Sequence, residues 1–394
     1  MVVDLRKLNE ATIPASLTLP EIQVQLSCLP PQAKYFCTLD MQNGFDLLEI
    51  DPRDRWIFVF STVFGLFEMR GAPMGYHSTP SVYQNRVVRY ILGYSASSQR
   101  LGTVNKSDDL LEDEGTFCRP FNGALLWIDD ILIYGSTFQG FKQVINRILS
   151  NMRKYKVRFN AMKCSLITSH TDWCGRRISR EGWRFAESHY EKILHLNRPT
   201  NLAQLEQVLY VITWLGDSIP NCSHIKGHFQ SLVDKLRNEN QIIDRKKRRS
   251  DTNISLSGHW TVVDEERYKQ LLKPLYYCSR TNLKNYDSSK EVHIFTDASK
   301  YYFGSVLTQR HGDFYKPFSF LSGKFTNNSL NWSINDKELY SVVFSIKRFD
   351  YLIDNSRVIV HTDHKNLIYL RKPESRTTKG GTLSRIKRWN IFLL

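Results

Sequence analysis

The chain has 394 residues, 41% of them hydrophobic, which is enough for two or three domains with ordinary cores. Its 54 Lys and Arg exceed its 39 Asp and Glu, giving a formal charge of +15 that points to a polyanionic partner, and 12% aromatic residues favour nucleic acid over a membrane surface. Seven cysteines without a Cys-x-x-Cys pair, no signal-peptide pattern and no apolar run of about 18 residues exclude a secreted or membrane-spanning chain and read as reduced intracellular thiols.

In chain order, Tyr35-Phe36-Cys37-Thr38-Leu39-Asp40 is an apolar stretch that ends on an acid, with Gly44 and Phe45 close behind. Gly65 to Tyr76 and Thr79 to Gln84 follow. Residues 95–121 are polar, net acidic and dotted with Ser and Gly. Such a segment buries too little apolar surface to offset its ordering entropy, so it is expected to be an exposed, disordered insertion outside the core. Leu125 to Tyr134 then places two adjacent carboxylates inside an otherwise apolar run. Each flank reads as a short buried strand, with Asp129 and Asp130 at the turn of a hairpin. Two like charges side by side in a buried setting cost several kcal/mol unless a cation neutralises them, and hard carboxylate oxygens suit Mg²⁺. A plain, water-exposed Asp-Asp turn is the other reading.

From Arg198-Pro199 to about Asp234, Leu, Val, Ile and Trp recur at helical intervals. Residues 236–258 read as a linker, and their run Arg245-Lys246-Lys247-Arg248-Arg249 reads as a localisation signal, a nucleic-acid patch or a solvated stretch. His293 to Ser299 is an alternating strand ending on Asp297, and Gly304 to Gln309 is the returning strand. Asn335 to Val343 opens an amphipathic helix carrying Glu338, and Val358 to His364 is a further strand ending on Asp363. Residues 371–384 form a last polar loop.

The segment Val2-Val3-Asp4-Leu5-Arg6-Lys7-Leu8-Asn9, the Asp40 stretch, Gly65–Tyr76, Thr79–Gln84 and the Asp129-Asp130 hairpin, taken in this order, resemble the reverse transcriptase of gypsy-type LTR retrotransposons. His259-Trp260-Thr261 and the three acid-bearing segments around Asp297, Glu338 and Asp363 resemble the ribonuclease H domain of the same family. The resemblance implies an α+β architecture: partial fingers and palm (1–94), insertion (95–121), palm with the hairpin (122–160), primer grip and helical thumb-connection (161–235), basic linker (236–258) and a mixed α/β ribonuclease H-like domain (259–394).

It also implies roles. Asp40 and Asp129, with Asp130 beside them, would hold two Mg²⁺ ions about 3.5–4 Å apart, with Mn²⁺ as a substitute. Asp297, Glu338 and Asp363 would hold a second pair for hydrolysis. Phe45 would stack under the sugar and reject a 2′-hydroxyl, its other reading being an ordinary core Phe. Pro73, Met74 and Gly75 would shape the pocket for template and incoming deoxynucleoside triphosphate, Gly75 by close backbone approach or as a plain loop glycine. Trp173, Gly175 and Arg176 would grip the primer end, the tight Gly175 through backbone contact with phosphates, or form a hairpin with a solvated basic edge. The implied partners are RNA, DNA and RNA–DNA hybrids, in a cytoplasmic particle or the nucleus.

Some residues depart from the family. Asp46 and Leu47 stand where it usually has an aromatic or His and then Gln. The chain is expected to open inside the fingers and, after Ser384–Trp389, to stop short of the family's fourth nuclease acid. A fragment truncated at both ends is therefore expected, either active or a dead remnant that at most binds nucleic acid.

Overall fold

The computed structural model describes residues 3–15, 19, 21–93, 123–194, 196–240, 253–353, 356–365 and 367. The expected insertion at 95–121, the basic run 245–249, the loop 371–384 and Ser384–Trp389 lie outside the described residues. The chain divides into two compact units, Met1–Glu181 and Gly182–Leu394, and both mix helix with sheet.

The first unit begins with two short helices, α1 (Arg6–Ala11) and α2 (Ile22–Ser27), and then β1 (Tyr35–Gln42). An outlying hairpin, β2 (Val59–Thr62) and β3 (Gly65–Glu68), precedes α3 (Thr79–Tyr90). Next come β4 (Ala124–Trp127), β5 (Asp130–Gly135), α4 (Phe138–Lys154), β6 (Arg158–Phe159), β7 (Ser165–Thr168), β8 (His170–Trp173) and β9 (Arg176–Ser179). The main sheet runs β4-β5-β1-β6, all antiparallel, with β7 also paired to β1. Thr137 caps α4 by accepting the Gly140 N–H. Phe141, Ile148 and Met152 then fall on one face of that helix and are buried. They join Leu39, Met41, Tyr83, Val87, Ile131 and Ile133 in a single core beneath the sheet.

The second unit starts with β10 (Gly182–Phe185), α5 (Glu187–Leu194), α6 (Leu202–Trp214), α7 (Cys222–Glu239) and α8 (Val262–Arg280). The half-buried Arg237–Glu206 pair, at 2.7 Å, ties α7 to α6. Residues 236–239 complete α7, and Leu202 N–H and Leu256 N–H bond back to Ile254 and Thr200, so the described ends of the expected linker are structured. A four-stranded sheet follows from β11 (Val292–Ala298), β12 (Tyr302–His311), β13 (Phe314–Lys324), α9 (Ile334–Arg348), α10 (Asp350–Ile353) and β14 (Val358–His361). Its order is β13-β12-β11-β14, antiparallel except for the parallel pair β11 and β14. A parallel pair needs a long crossover, and α9 is part of it. The helix approaches the sheet closely because Ser341 and Ser345 are small, with Ser345 Oγ donating to Ser305 Oγ at 2.7 Å.

Candidate active sites

In the first unit the acids are set by backbone register. Asp40 on β1 stands directly opposite Asp130, the first residue of β5, so both carboxylates leave the same face of the sheet. Trp127 pairs with Asp130, which makes the hairpin loop the two residues Ile128 and Asp129 rather than the two aspartates. Ile128 has φ +53°, a left-handed conformation that a β-branched residue adopts only when its surroundings impose it. Three contacts do so. Gln84 Oε1 on α3 accepts the Ile128 N–H at 3.1 Å, Met41 N–H donates to the Asp129 carbonyl at 2.9 Å, and Trp173 Nε1–H donates to the Asp130 carbonyl at 3.2 Å.

Burial pushes the Asp129 and Asp130 carboxyls above the usual range, and neighbouring Asp40 pushes both further. Tyr83 lies close to Asp129 and moderates its shift, yet the hydroxyl is aligned on the Met41 sulfur at 3.4 Å. Asp129 Oδ1 is thus buried without a well-formed hydrogen bond among the described residues. Lys163 Nζ approaches Asp40 Oδ2 at 3.4 Å from the solvent side. An unsatisfied oxygen beside two further carboxylates is a donor set that suits a hard divalent cation.

The second unit draws its acids from three separate elements. Asp297 is near the end of β11, Glu338 is one turn into α9, and Asp363 lies two residues past β14. Because Phe295 pairs with His361, extending the parallel register by two residues brings Asp363 beside Asp297. One oxygen of each carboxylate lies within 4.8 Å of the others, the only such trio of acids among the described residues. Glu338 is 4% exposed. Its Oε1 accepts the Ala298 N–H at 3.3 Å, while its buried Oε2 has no hydrogen-bond partner among the described residues. Burial, and then the charges of Asp297 and Asp363, raise its pKa from 4.5 to about 7. Three converging carboxylates with an orphaned oxygen fit a divalent cation better than any protein donor nearby. His364 holds the Asp363 segment through its ring nitrogen against Asn335 Oδ1 on α9.

The other expected residues sort differently. Phe45 is half-buried, packs against the core and meets Tyr83 edge-to-face at 5.2 Å. Pro73 is buried, Met74 is 60% exposed and Gly75 has φ +94° with open space around it, so glycine is needed there for conformation. Asn9 fastens this loop, donating to the Gly75 carbonyl at 2.8 Å and accepting the His77 N–H at 3.0 Å. Cys174 and Gly175, at φ +48° and +75°, make the tight two-residue turn of the β8–β9 hairpin.

The Trp173 ring is 2% exposed and Arg176 is 4% exposed, with its Nη1 donating to the Cys174 carbonyl. Both side chains turn inward, because the small hairpin packs its alternate residues inward.

Sequence reasoning gave Gln84, Tyr83, Gly44, Asn335 and His364 no role. For Gln84 a signal existed: with Val87, Val88 and Ile91 it follows an i, i+3, i+4, i+7 stripe, and a polar residue on an apolar stripe demands a buried partner.

Residues 1–185 match the family of reverse transcriptase (RNA-dependent DNA polymerase) domains, and residues 287–394 match the RNase H-like domain found in reverse transcriptase. Over the whole chain, the Tf2-3, Tf2-4 and Tf2-7 transposon polyproteins of Schizosaccharomyces pombe (strain 972 / ATCC 24843) are each 25% identical. The chain therefore carries a reverse transcriptase domain followed by the RNase H-like domain found in reverse transcriptase. It covers 26% of those polyproteins' length. Members of this reverse transcriptase and ribonuclease H family are nucleotidyltransferases and nucleases. The reverse transcriptase fold is also seen in the foamy viral protease–reverse transcriptase in complex with RNA/DNA hybrid, with a TM-score of 0.74, 18% identity, all of this chain covered and 47% of that one. The same foamy viral protein in complex with dsDNA gives a TM-score of 0.73 at 19% identity, covering 72% of that chain.

Proposed function

We propose that this chain performs templated DNA synthesis in its first unit and hydrolyses the RNA strand of RNA–DNA hybrids in its second. The convergence of Asp297, Glu338 and Asp363 within 4.8 Å around an orphaned buried oxygen carries the reading. Such a cluster of like charges is unfavourable by itself and is relieved where a cation is held. Asp40, Asp129 and Asp130 are the corresponding holders in the palm. Two Mg²⁺ ions per site are expected, with Mn²⁺ able to replace them. When bound, such ions supply activation of the attacking oxygen and neutralisation at the leaving one.

The chain's own residues do the positioning. Gln84 and Met41 fix the Asp129 turn, and Phe45, braced by Tyr83, offers a flat ring against which a deoxyribose fits and a 2′-hydroxyl does not. The Pro73–Gly75 loop, fastened by Asn9, lines the nucleotide and template side, and the Cys174–Gly175 turn presents backbone to the primer end. RNA, DNA, their hybrids and deoxynucleoside triphosphates are thus the partners, met inside the cell. Among the described residues no helix is long and apolar enough to cross a membrane.

A second reading, a nucleic-acid-binding remnant without polymerase activity, draws on the wider spread of the palm acids, which form no close trio among the described residues. Primer extension and hybrid cleavage by the purified chain, in Mg²⁺ or Mn²⁺, decide between the two. Asp129→Asn should abolish only extension and Asp297→Asn only cleavage. Hybrid binding without either activity would establish the remnant.

A further inference from the structure

The geometry points to Trp173 as a positioning residue that fixes the Asp130 carboxylate, and not as a surface that touches the primer. This rests on reading the palm acids as a cation site. The indole is buried, so no base or phosphate can reach it. Its single polar atom donates to the Asp130 carbonyl at 3.2 Å, and that bond joins the β8–β9 hairpin to the first residue of β5.

The peptide that carries the bond also sets the direction of the Asp130 side chain. Asp130 pairs with Trp127 across a loop whose first residue, Ile128, is held at φ +53°, and it faces Asp40 across the sheet. A strained turn of this kind keeps its shape only while both ends are tied. Gln84 ties the Ile128 end from α3, and Trp173 ties the Asp130 end from β8. Without the indole N–H, that carbonyl loses its tie to the β8–β9 hairpin and the turn can relax, carrying the carboxylate away from Asp40. Trp173 sits immediately before the Cys174–Gly175 tip, so the hairpin that offers backbone to the primer also braces the acid. Seating the primer and setting the cation-holding acid become one mechanical event.

The test uses the full chain carrying Asp297→Asn and Asp363→Asn, so that the palm is the cation site observed. Trp173 is replaced by β-(benzothien-3-yl)alanine, which keeps the bicyclic shape and exchanges the N–H for sulfur, and separately by Trp173→Phe. Mn²⁺ affinity is read by electron paramagnetic resonance, primer–template affinity by fluorescence anisotropy in EDTA, and the rate by primer extension at saturating primer–template. Loss of one buried hydrogen bond should weaken Mn²⁺ binding and kcat by about fivefold to tenfold while primer–template Kd stays within about twofold.

A clear rise in primer–template Kd, with or without a loss of rate, would overturn the proposal, because a direct primer contact produces it. Unchanged Mn²⁺ affinity and kcat would overturn it as well. If Trp173→Phe does not fold, the isosteric replacement still reads the bond alone. If the wild-type palm extends no primer, the functional reading fails, while Mn²⁺ and primer–template affinities still decide what Trp173 does.

Discussion

The two acid sites are built by opposite means. In the palm, Asp40 and Asp130 are neighbours because a strand register places them opposite each other on one face of the sheet. In the nuclease unit, a strand, a helix and the segment after another strand are packed until three carboxylates meet, with Glu338 sealed from water. Backbone register therefore gives precision, with burial and Asp40 raising the Asp129 and Asp130 carboxyls, whereas tertiary packing gathers three carboxylates more closely and seals one of them, Glu338, from water. The nuclease site should respond to charge and cations through stability, and the palm through local geometry.

The largest effect should come from Gly44→Ala. A Cβ there would overlap the Tyr83 hydroxyl and come within 2.8 Å of Asp129 Oδ1. A displacement of about 1 Å at a reacting centre can cost on the order of 10²-fold, so primer extension should fall at least that far. Hybrid cleavage by the same protein should stay within about twofold of wild type. A parallel fall in both activities would break the contrast between two independent sites.

The second test concerns pH. Glu338 has its pKa raised from 4.5 to about 7 in the folded state, so folding favours its protonated form. The stability this brings is complete below the unfolded value and is lost as pH rises through about 7, by roughly 3 kcal/mol. In EDTA, the unfolding midpoint of the nuclease unit should drop between about pH 5 and 8, and Glu338→Gln should flatten that drop. An equally steep profile in the variant would contradict the stored-charge account.

A smaller effect is expected from Asn335→Ala, which removes the contact that holds His364 beside Asp363. Asp363 lies beyond the end of β14 and depends on this tether, so the Mg²⁺ concentration needed for half-maximal cleavage should rise several-fold, on the scale of one hydrogen bond. Unchanged Mg²⁺ dependence would show that strand pairing alone suffices. The smallest belongs to Lys163→Ala. Its ammonium is 3.4 Å from Asp40 but the side chain is 64% exposed, so thermal unfolding should shift by no more than about 0.5 kcal/mol. A larger loss would mean that the palm also stores charge.

How much of this was legible follows from what each residue contacts. The apolar flanks of Asp129-Asp130 gave away β4 and β5, because a hairpin with one buried face writes its burial into local sequence. Alternation likewise marked β11 with Asp297, and helical periodicity marked α9 with Glu338. The turn was displaced by one residue, since nothing local announces that Gln84, 44 positions away, pins an isoleucine in a left-handed conformation. Trp173 and Arg176 look like exposed contacts in a basic segment, yet strand alternation turns both inward. The periodic stripe marks Gln84 as buried but does not say which distant backbone it meets. Gly44 shows why: its need is spatial, set by Tyr83 arriving from another helix.

The central claim is that the acids of the nuclease unit form a cation site in which occupancy relieves buried charge. Thermal unfolding of the full chain at pH 8, without Mg²⁺ and with about 10 mM, tests it directly, since a ligand stabilises the state that binds it. The account predicts that Mg²⁺ raises the midpoint of the nuclease unit in wild type and equally in Asp129→Asn, while Glu338→Gln starts higher and gains little. No rise in wild type, or the same rise in Glu338→Gln, would contradict it.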